Sequence, residues 1–184
     1  MPNYRRPDAS GARWFFTIVT YRRRAFLCDD QVRLALRAAN RRVQSEYPFS
    51  IDAWVLLPDH FHCIWTLPEQ DSNFSRRIGL LKKYLTQACS YYLHDDKLST
   101  PSRRKRNEST LWQRRYWEHQ VRNDEDFKHH MDYIHYNPVK HGLSRSPAEW
   151  PFSTIHRLIK QGVYPQNWAS DPNKGSKEKQ SYGE

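Results

Sequence analysis

Two histidines one residue apart, His60 and His62, lie in the apolar run from Trp54 to Trp65, and far downstream come Tyr133 and Asn137. Along a strand successive side chains alternate between faces, so His60 and His62 project from one face while Phe61 and Cys63 project from the other. Two imidazoles presented in this way suit a metal ion. On a helix, residues four apart share a face, which lets Tyr133 and Asn137 offer a phenol and an amide oxygen to one spot. Together these groups compose a metal-assisted nucleophilic site. A lone His-x-His is more often an ordinary hydrogen-bonded pair, but unpaired imidazoles between apolar segments are costly to bury. They call for a partner.

The elements that must position these residues are legible as periodic segments. Residues 1–12, with Pro2, Pro7 and Gly11, read as a flexible arm. Residues 13–21 form a strand apolar on both faces, hence central. A helix capped by Asp29 or Asp30 runs to Glu46 with Val32, Leu36, Ala39 and Val43 as its stripe, and Pro48 stops it. Residues 51–57 and 61–67 are strands around Pro58-Asp59. After Ser72 or Asn73 a helix spans 74–93, turning Ile78, Leu81, Tyr84, Leu85 and Ala88 inward and Arg77, Lys82 and Lys83 outward. Residues 94–110 form a charged loop, 111–121 are strand-like, and a helix from Asp124 ends at Tyr136 because Asn137 precedes Pro138. Trp150-Pro151-Phe152-Ser153 opens a short final helix.

This order of strands and helices predicts an α+β fold, a ferredoxin-like split βαβ antiparallel sheet with helices on one face and the hairpin strands at its centre. The histidine pair then opens onto the uncovered face, where the late helix brings Tyr133. Residues 1–168 make one domain, and 169–184 a polar tail without periodicity.

Lys and Arg number 30 against 20 Asp and Glu, a formal net charge of +10, and they cluster at 22–24, 41–42, 76–77, 82–83, 103–106 and 114–115. Any one cluster could be a solvated face; all of them together point to a polyanion. Aromatics interleaved with cations, as in Arg114-Arg115-Tyr116-Trp117, can stack on unpaired bases while the cations hold phosphate, whereas Trp14, Trp54 and Trp65 are expected in the core. Cys28, Cys63 and Cys89 form no CxxC pair and suit a reducing cytosol. The first apolar run, 14–21, is too short for a membrane segment, so a cytoplasmic protein with no membrane partner is expected.

The set His60-Phe61-His62, Tyr133 and Asn137 resembles the HUH endonucleases with one catalytic tyrosine, the Y1 transposases of the IS200/IS605 type. The run from Trp112-Gln113 through Tyr116-Trp117-Glu118-His119 to Asp132-Tyr133-Ile134 and Asn137-Pro138-Val139-Lys140-His141-Gly142 is similar, more narrowly, to the REP-associated tyrosine transposases. Those process single-stranded repetitive extragenic palindromes in bacteria. Asn3-Tyr4-Arg5-Arg6 and Trp150-Pro151-Phe152-Ser153 extend the resemblance over nearly the whole chain.

The resemblance implies a metal-dependent single-stranded DNA endonuclease and strand transferase. His60, His62 and the Asn137 amide oxygen would hold Mg²⁺ or Mn²⁺, and Tyr133 would attack to give a 5′-phosphotyrosyl enzyme and a free 3′-hydroxyl. Many members have glutamine where Asn137 stands; the shorter amide matches the REP-associated branch. The implied partner is a REP hairpin with an adjacent 5′ tetranucleotide, gripped by Tyr4, Arg5, Arg6, Lys82, Lys83, Arg103, Arg104, Lys105 and Arg106, and the implied protein is a monomer associated with the bacterial nucleoid. The tail would either lie across the DNA groove and modulate access or be an end with no role. Two other readings stay open on the residues alone: a nuclease whose histidine-bound metal activates water, and a non-catalytic hairpin-binding protein.

Overall fold

Six of the seven residues of the first strand, β1 (Arg13–Val19), are buried, because apolar side chains leave both of its faces. A strand with no wet face belongs inside a sheet. In the computed structural model, which describes residues 12–170, β1 pairs antiparallel with β3 (His60–Thr66) on one side and β4 (Trp117–Gln120) on the other. Strand β2 (Ser50–Leu56) takes the outer edge, giving the order β2-β3-β1-β4. The expectation that both hairpin strands are central is met by β3 and not by β2. Trp54 on that edge is accordingly half-buried, stacked on Phe61 at 4.4 Å.

Helix α1 (Asp30–Glu46) buries Val32, Leu36, Ala39 and Val43, and Tyr47 closes it before Pro48. Helix α2 (Phe74–Leu93) begins where Asn73 accepts a hydrogen bond from the Arg76 N–H. Both pack on the sheet face formed by Trp14, Phe16, Ile18, Phe61, Cys63 and Trp65. The opposite face, carrying Phe15, Ala53, Val55 and Ile64, is not left open: α4 (Asp124–Lys140) covers it with Met131 and Ile134, and α5 (Ile155–Lys160) with Ile155 and Leu158. Helices on both faces replace the expected single layer, because α4 carries an apolar side that needs a sheet to bury it.

Three inward turns differ from the sequence expectation. Ala88 is exposed, and Cys89 takes the buried position. Arg77 is buried, donating to the carbonyls of Tyr47, Pro48 and Asn73 and pairing with Asp71 at 2.6 Å. It staples the start of α2 to the α1–β2 connection. Arg77→Leu leaves those acceptors unpaired, and a loss of about 2 kcal/mol in unfolding free energy is expected, measured by urea denaturation. Arg103, in the short helix α3 (Pro101–Lys105) inside the 94–110 loop, is also buried, donating to the carbonyls of Ser109 and Trp112.

Two boundaries also shift. Only Trp117–Gln120 of the 111–121 segment is strand, with Trp112 making one isolated bridge to Thr20. Helix α4 does not stop at Tyr136 but runs through Pro138 to Lys140. Proline withholds one N–H from the ladder, yet the helix closes one turn later. There the Leu143 N–H reaches the Pro138 carbonyl (2.8 Å), the Gly142 N–H reaches Val139 (3.0 Å), and Gly142 adopts φ 67°. This is a Schellman ending, and it favours glycine.

Candidate active site

Register places the histidine pair. His62 lies opposite Thr17 and His60 opposite Val19, both rings on the α4 side of the sheet and both buried. Each ring is held through Nδ1: His60 by the Asp59 carboxylate at 2.6 Å, His62 by the Thr17 hydroxyl at 2.9 Å. Burial opposes ionisation of Asp59, but the hydrogen bonds and charges of His60 and Arg23 outweigh it and bring its carboxyl down to about 2. A carboxylate only accepts, so His60 Nδ1 carries a proton toward Asp59, and Nε2 is the ring nitrogen left for another partner. Burial, then the charges of His60, His141, Lys140 and Arg23, hold His62 well below the usual imidazole range, in the neutral form that ligates metals.

Helix α4 supplies the other half. Tyr133, Asn137 and His141 follow one another at intervals of four and so stand on one face. The Tyr133 ring meets His62 at 5.2 Å and the His141 ring meets His60 at 5.2 Å. Asn137, one turn from each and fully buried, stands on that same face of the helix. Phe15 braces both Tyr133 (5.9 Å) and His62 (5.7 Å), and the Lys140 ammonium lies 5.2 Å from the centre of the Tyr133 ring.

A metal fits this donor set. His60 Nε2, His62 Nε2 and both polar atoms of the Asn137 amide are shielded from solvent with no hydrogen-bond partner among the described residues. Native interiors rarely leave such groups together. Coordination by the two Nε2 atoms and the Asn137 oxygen would satisfy three of them, with Asp59 and Thr17 orienting the rings from behind.

The model of the family described as "Transposase IS200 like" matches residues 12–137, from the residue before β1 to the buried amide. The chain belongs to the IS200-like transposase family. A REP-associated tyrosine transposase of Escherichia coli is 44% identical to it over 171 residues, 93% of each chain. A Haemophilus influenzae relative of the same family name is 40% identical over 173 residues, 94% of this chain and 96% of that one. A solved REP-associated tyrosine transposase bound to a REP hairpin superposes over 100% of both chains with a TM-score of 0.78 and 42% identity.

The basic residues named for DNA contact divide. Tyr4, Arg5 and Arg6 lie outside the described residues. Lys82 is not outward: burial pulls its amine down to about 8, and it donates to the Gln113 carbonyl at 3.0 Å beside Trp112 and Tyr116. Arg103 is turned inward as well, 3.6 Å over the Tyr21 ring. Lys83, Arg104, Lys105 and Arg106 face solvent.

Asp59, Thr17, Lys140 and His141 have no role in the sequence analysis of this transposase. Asp59 adjoins His60 and is a local signal; His141 lies beyond Pro138, where the sequence rule ends a helix, and Thr17 is brought to His62 only by sheet register. A separate group also emerged. His119 of β4 and Asp126 and His130 of α4 bring ligand-type atoms within 4.8 Å of one another. The Asp126 carboxylate bonds His119 at 2.8 Å and the Arg122 N–H at 2.9 Å and lies 2.9 Å from His130 Nδ1, fastening β4 to the first turn of α4.

Proposed function

We propose that this transposase is a metal-dependent single-stranded DNA endonuclease and strand transferase, acting on REP-type hairpins with a 5′ tetranucleotide through a 5′-phosphotyrosine at Tyr133. The observation that carries the reading is the contact of Tyr133 with His62, with the buried Asn137 amide on the same face of α4 and with Nε2 of His60 and His62 unpartnered among the described residues. Relatives support the substrate: one carries the REP-associated name and a solved one is bound to a REP hairpin.

Mg²⁺ or Mn²⁺ at the two Nε2 atoms and the Asn137 oxygen would neutralise charge on the scissile phosphate. Tyr133 does the covalent work. Its phenolic oxygen gives up its proton and attacks phosphorus in line, the bond to the 3′ oxygen breaks, and the departing strand takes a proton to end in a 3′-hydroxyl. The phosphodiester energy is kept in the tyrosyl ester, so attack by another 3′-hydroxyl reverses the step and joins strands without a nucleotide cofactor. Phe15 and His62 fix the ring's direction, and the Lys140 ammonium beside the ring is placed to offset negative charge as it develops at the reacting centre. Lys83 and Arg104–Arg106, with Tyr4, Arg5 and Arg6, are the proposed DNA contacts. No helix among the described residues is long and apolar enough to cross a membrane; a cytoplasmic, nucleoid-bound monomer is the reading we adopt.

The test is a denaturing gel of labelled hairpin DNA incubated with Mn²⁺. The tyrosine mechanism leaves protein attached to a fragment. Free ends alone point to activated water, and uncut DNA to a binding protein. Lys140→Ala should slow single-turnover cleavage about tenfold, equivalent to about 1.4 kcal/mol, with Lys140→Arg retaining most of the rate; an unchanged rate in the alanine variant removes Lys140 from the reaction.

A further inference from the structure

A groove of about 360 Å³ runs between α1 and the segment leading into α5, along the outer edge of β2. It is lined by four arginines and by no carboxylate residue. Arg33, Arg37 and Arg41 follow one another at intervals of four on α1, which sets them on one face about 6 Å apart along the axis. Arg157 faces them from α5, its guanidinium donating to the carbonyls of Ile51 (3.1 Å) and Asp52 (2.8 Å). Trp54 and Phe152 complete the walls.

Two of the four cations are already engaged. Arg33 pairs with Asp30 and lies 4.4 Å over the Phe152 ring, while Arg157 is held by the strand carbonyls. Arg37 and Arg41 are exposed and make no ion pair with any described residue. Two like charges held one helical turn apart beside a third repel one another unless an anion with repeated charges spans them. Few ligands besides a phosphate backbone offer negative charge at regular intervals.

One end of the groove is tied to the turn before His60. At its Arg33 end, Arg33 donates to the Cys28 carbonyl, and the Leu27 N–H bonds Pro58 in the turn that opens into His60. At its other end lies Ile51, near the far end of the sheet. We infer that this arginine groove is a second nucleic-acid site, which carries the single-stranded DNA flanking the hairpin away from the Tyr133 site by its phosphates. The inference rests on the hairpin reading above and adds to it a track for the flank. Trp54 and Phe152 in its walls offer rings on which unpaired bases can stack, contacts that a closed duplex does not make.

The experiment compares three DNAs on the full chain: the minimal hairpin with its tetranucleotide, the same hairpin with a single-stranded extension on one side or the other, and the hairpin with that extension made duplex. Arg37→Gln/Arg41→Gln is the test variant, both positions being exposed and away from the core. Wild type should bind one of the single-stranded extensions about tenfold more tightly than the minimal hairpin. The double variant should lose that gain, bind and cut the minimal hairpin as wild type does, and show a salt slope on extended DNA smaller by about 1.4, two contacts at about 0.7 each for a single strand. Retention of the gain in the variant overturns the inference, and so does an equal, Arg37- and Arg41-dependent gain with the duplex extension. If wild type fails on the minimal hairpin, the hairpin reading falls. The extension alone, offered as an unstructured oligonucleotide, then still decides the groove by whether its binding needs Arg37 and Arg41.

Discussion

Tyr133→Phe should abolish strand cleavage, by more than about a thousandfold, while hairpin affinity and thermal stability stay at wild-type values. The change removes one oxygen and keeps the ring that packs on Phe15 and His62, so neither the α4–sheet interface nor any phosphate contact need be disturbed. Because the proposed mechanism attaches the phenolic oxygen covalently to DNA, the variant should also give no protein-linked fragment under denaturing conditions. Cleavage by the variant at a comparable rate, with free ends, would transfer the nucleophile's role to water. Weakened hairpin binding would instead show that the hydroxyl contacts DNA in the ground state.

The second large effect is expected at the histidine pair. His62→Ala or His60→Ala removes a whole imidazole from the proposed donor set, and Mn²⁺-supported cleavage should fall at least about a hundredfold, beyond what loss of an orienting group costs. Asn137→Ala should cost less, because an amide oxygen is a weaker ligand than imidazole for most first-row metals. Thr17→Val, which leaves His62 in place and takes away only its Nδ1 partner, should fall between wild type and His62→Ala. Titration calorimetry with Mn²⁺ on each variant separates metal affinity from activity. Equal cleavage with and without EDTA would end the metal assignment for all of these residues at once.

How far the sequence discloses this molecule depends on whether the deciding interaction is local. Helix α2 starts at Phe74 and ends at Leu93 as its period and Asn73 foretell, and the four buried residues of α1 are those of its stripe. The shared face of His60 and His62 follows from the two-residue repeat of a strand and needs nothing distant. Arg77 and Arg103 read as surface charges because most of their acceptors are backbone carbonyls, Tyr47, Pro48, Ser109 and Trp112 among them, which carry no side-chain code. The rule that ends helices before proline hid His141. With α4 stopped at Tyr136, nothing placed that ring one turn beyond Asn137, yet the continued helix brings it against His60. Strand β2 is expected at the centre from the split βαβ order alone, whereas the pairing of β1 with both β3 and β4 leaves β2 at the edge, a choice of partner that no local pattern encodes.

The two fastenings of α4 bear on how strands are exchanged. At its first turn Asp126 ties it to His119 on β4, and at its last the Gly142 turn closes it while His141 sits against His60. A helix held at both ends restrains Tyr133, so on the proposed mechanism its oxygen would keep a captured 5′ end close to the spot where it was cut. Choice of product would then pass to the nucleic acid, settled by which 3′ terminus arrives first at that junction. The protein would serve as an anvil, with traffic between the joining and the cutting direction governed by how fast the loose DNA end drifts away.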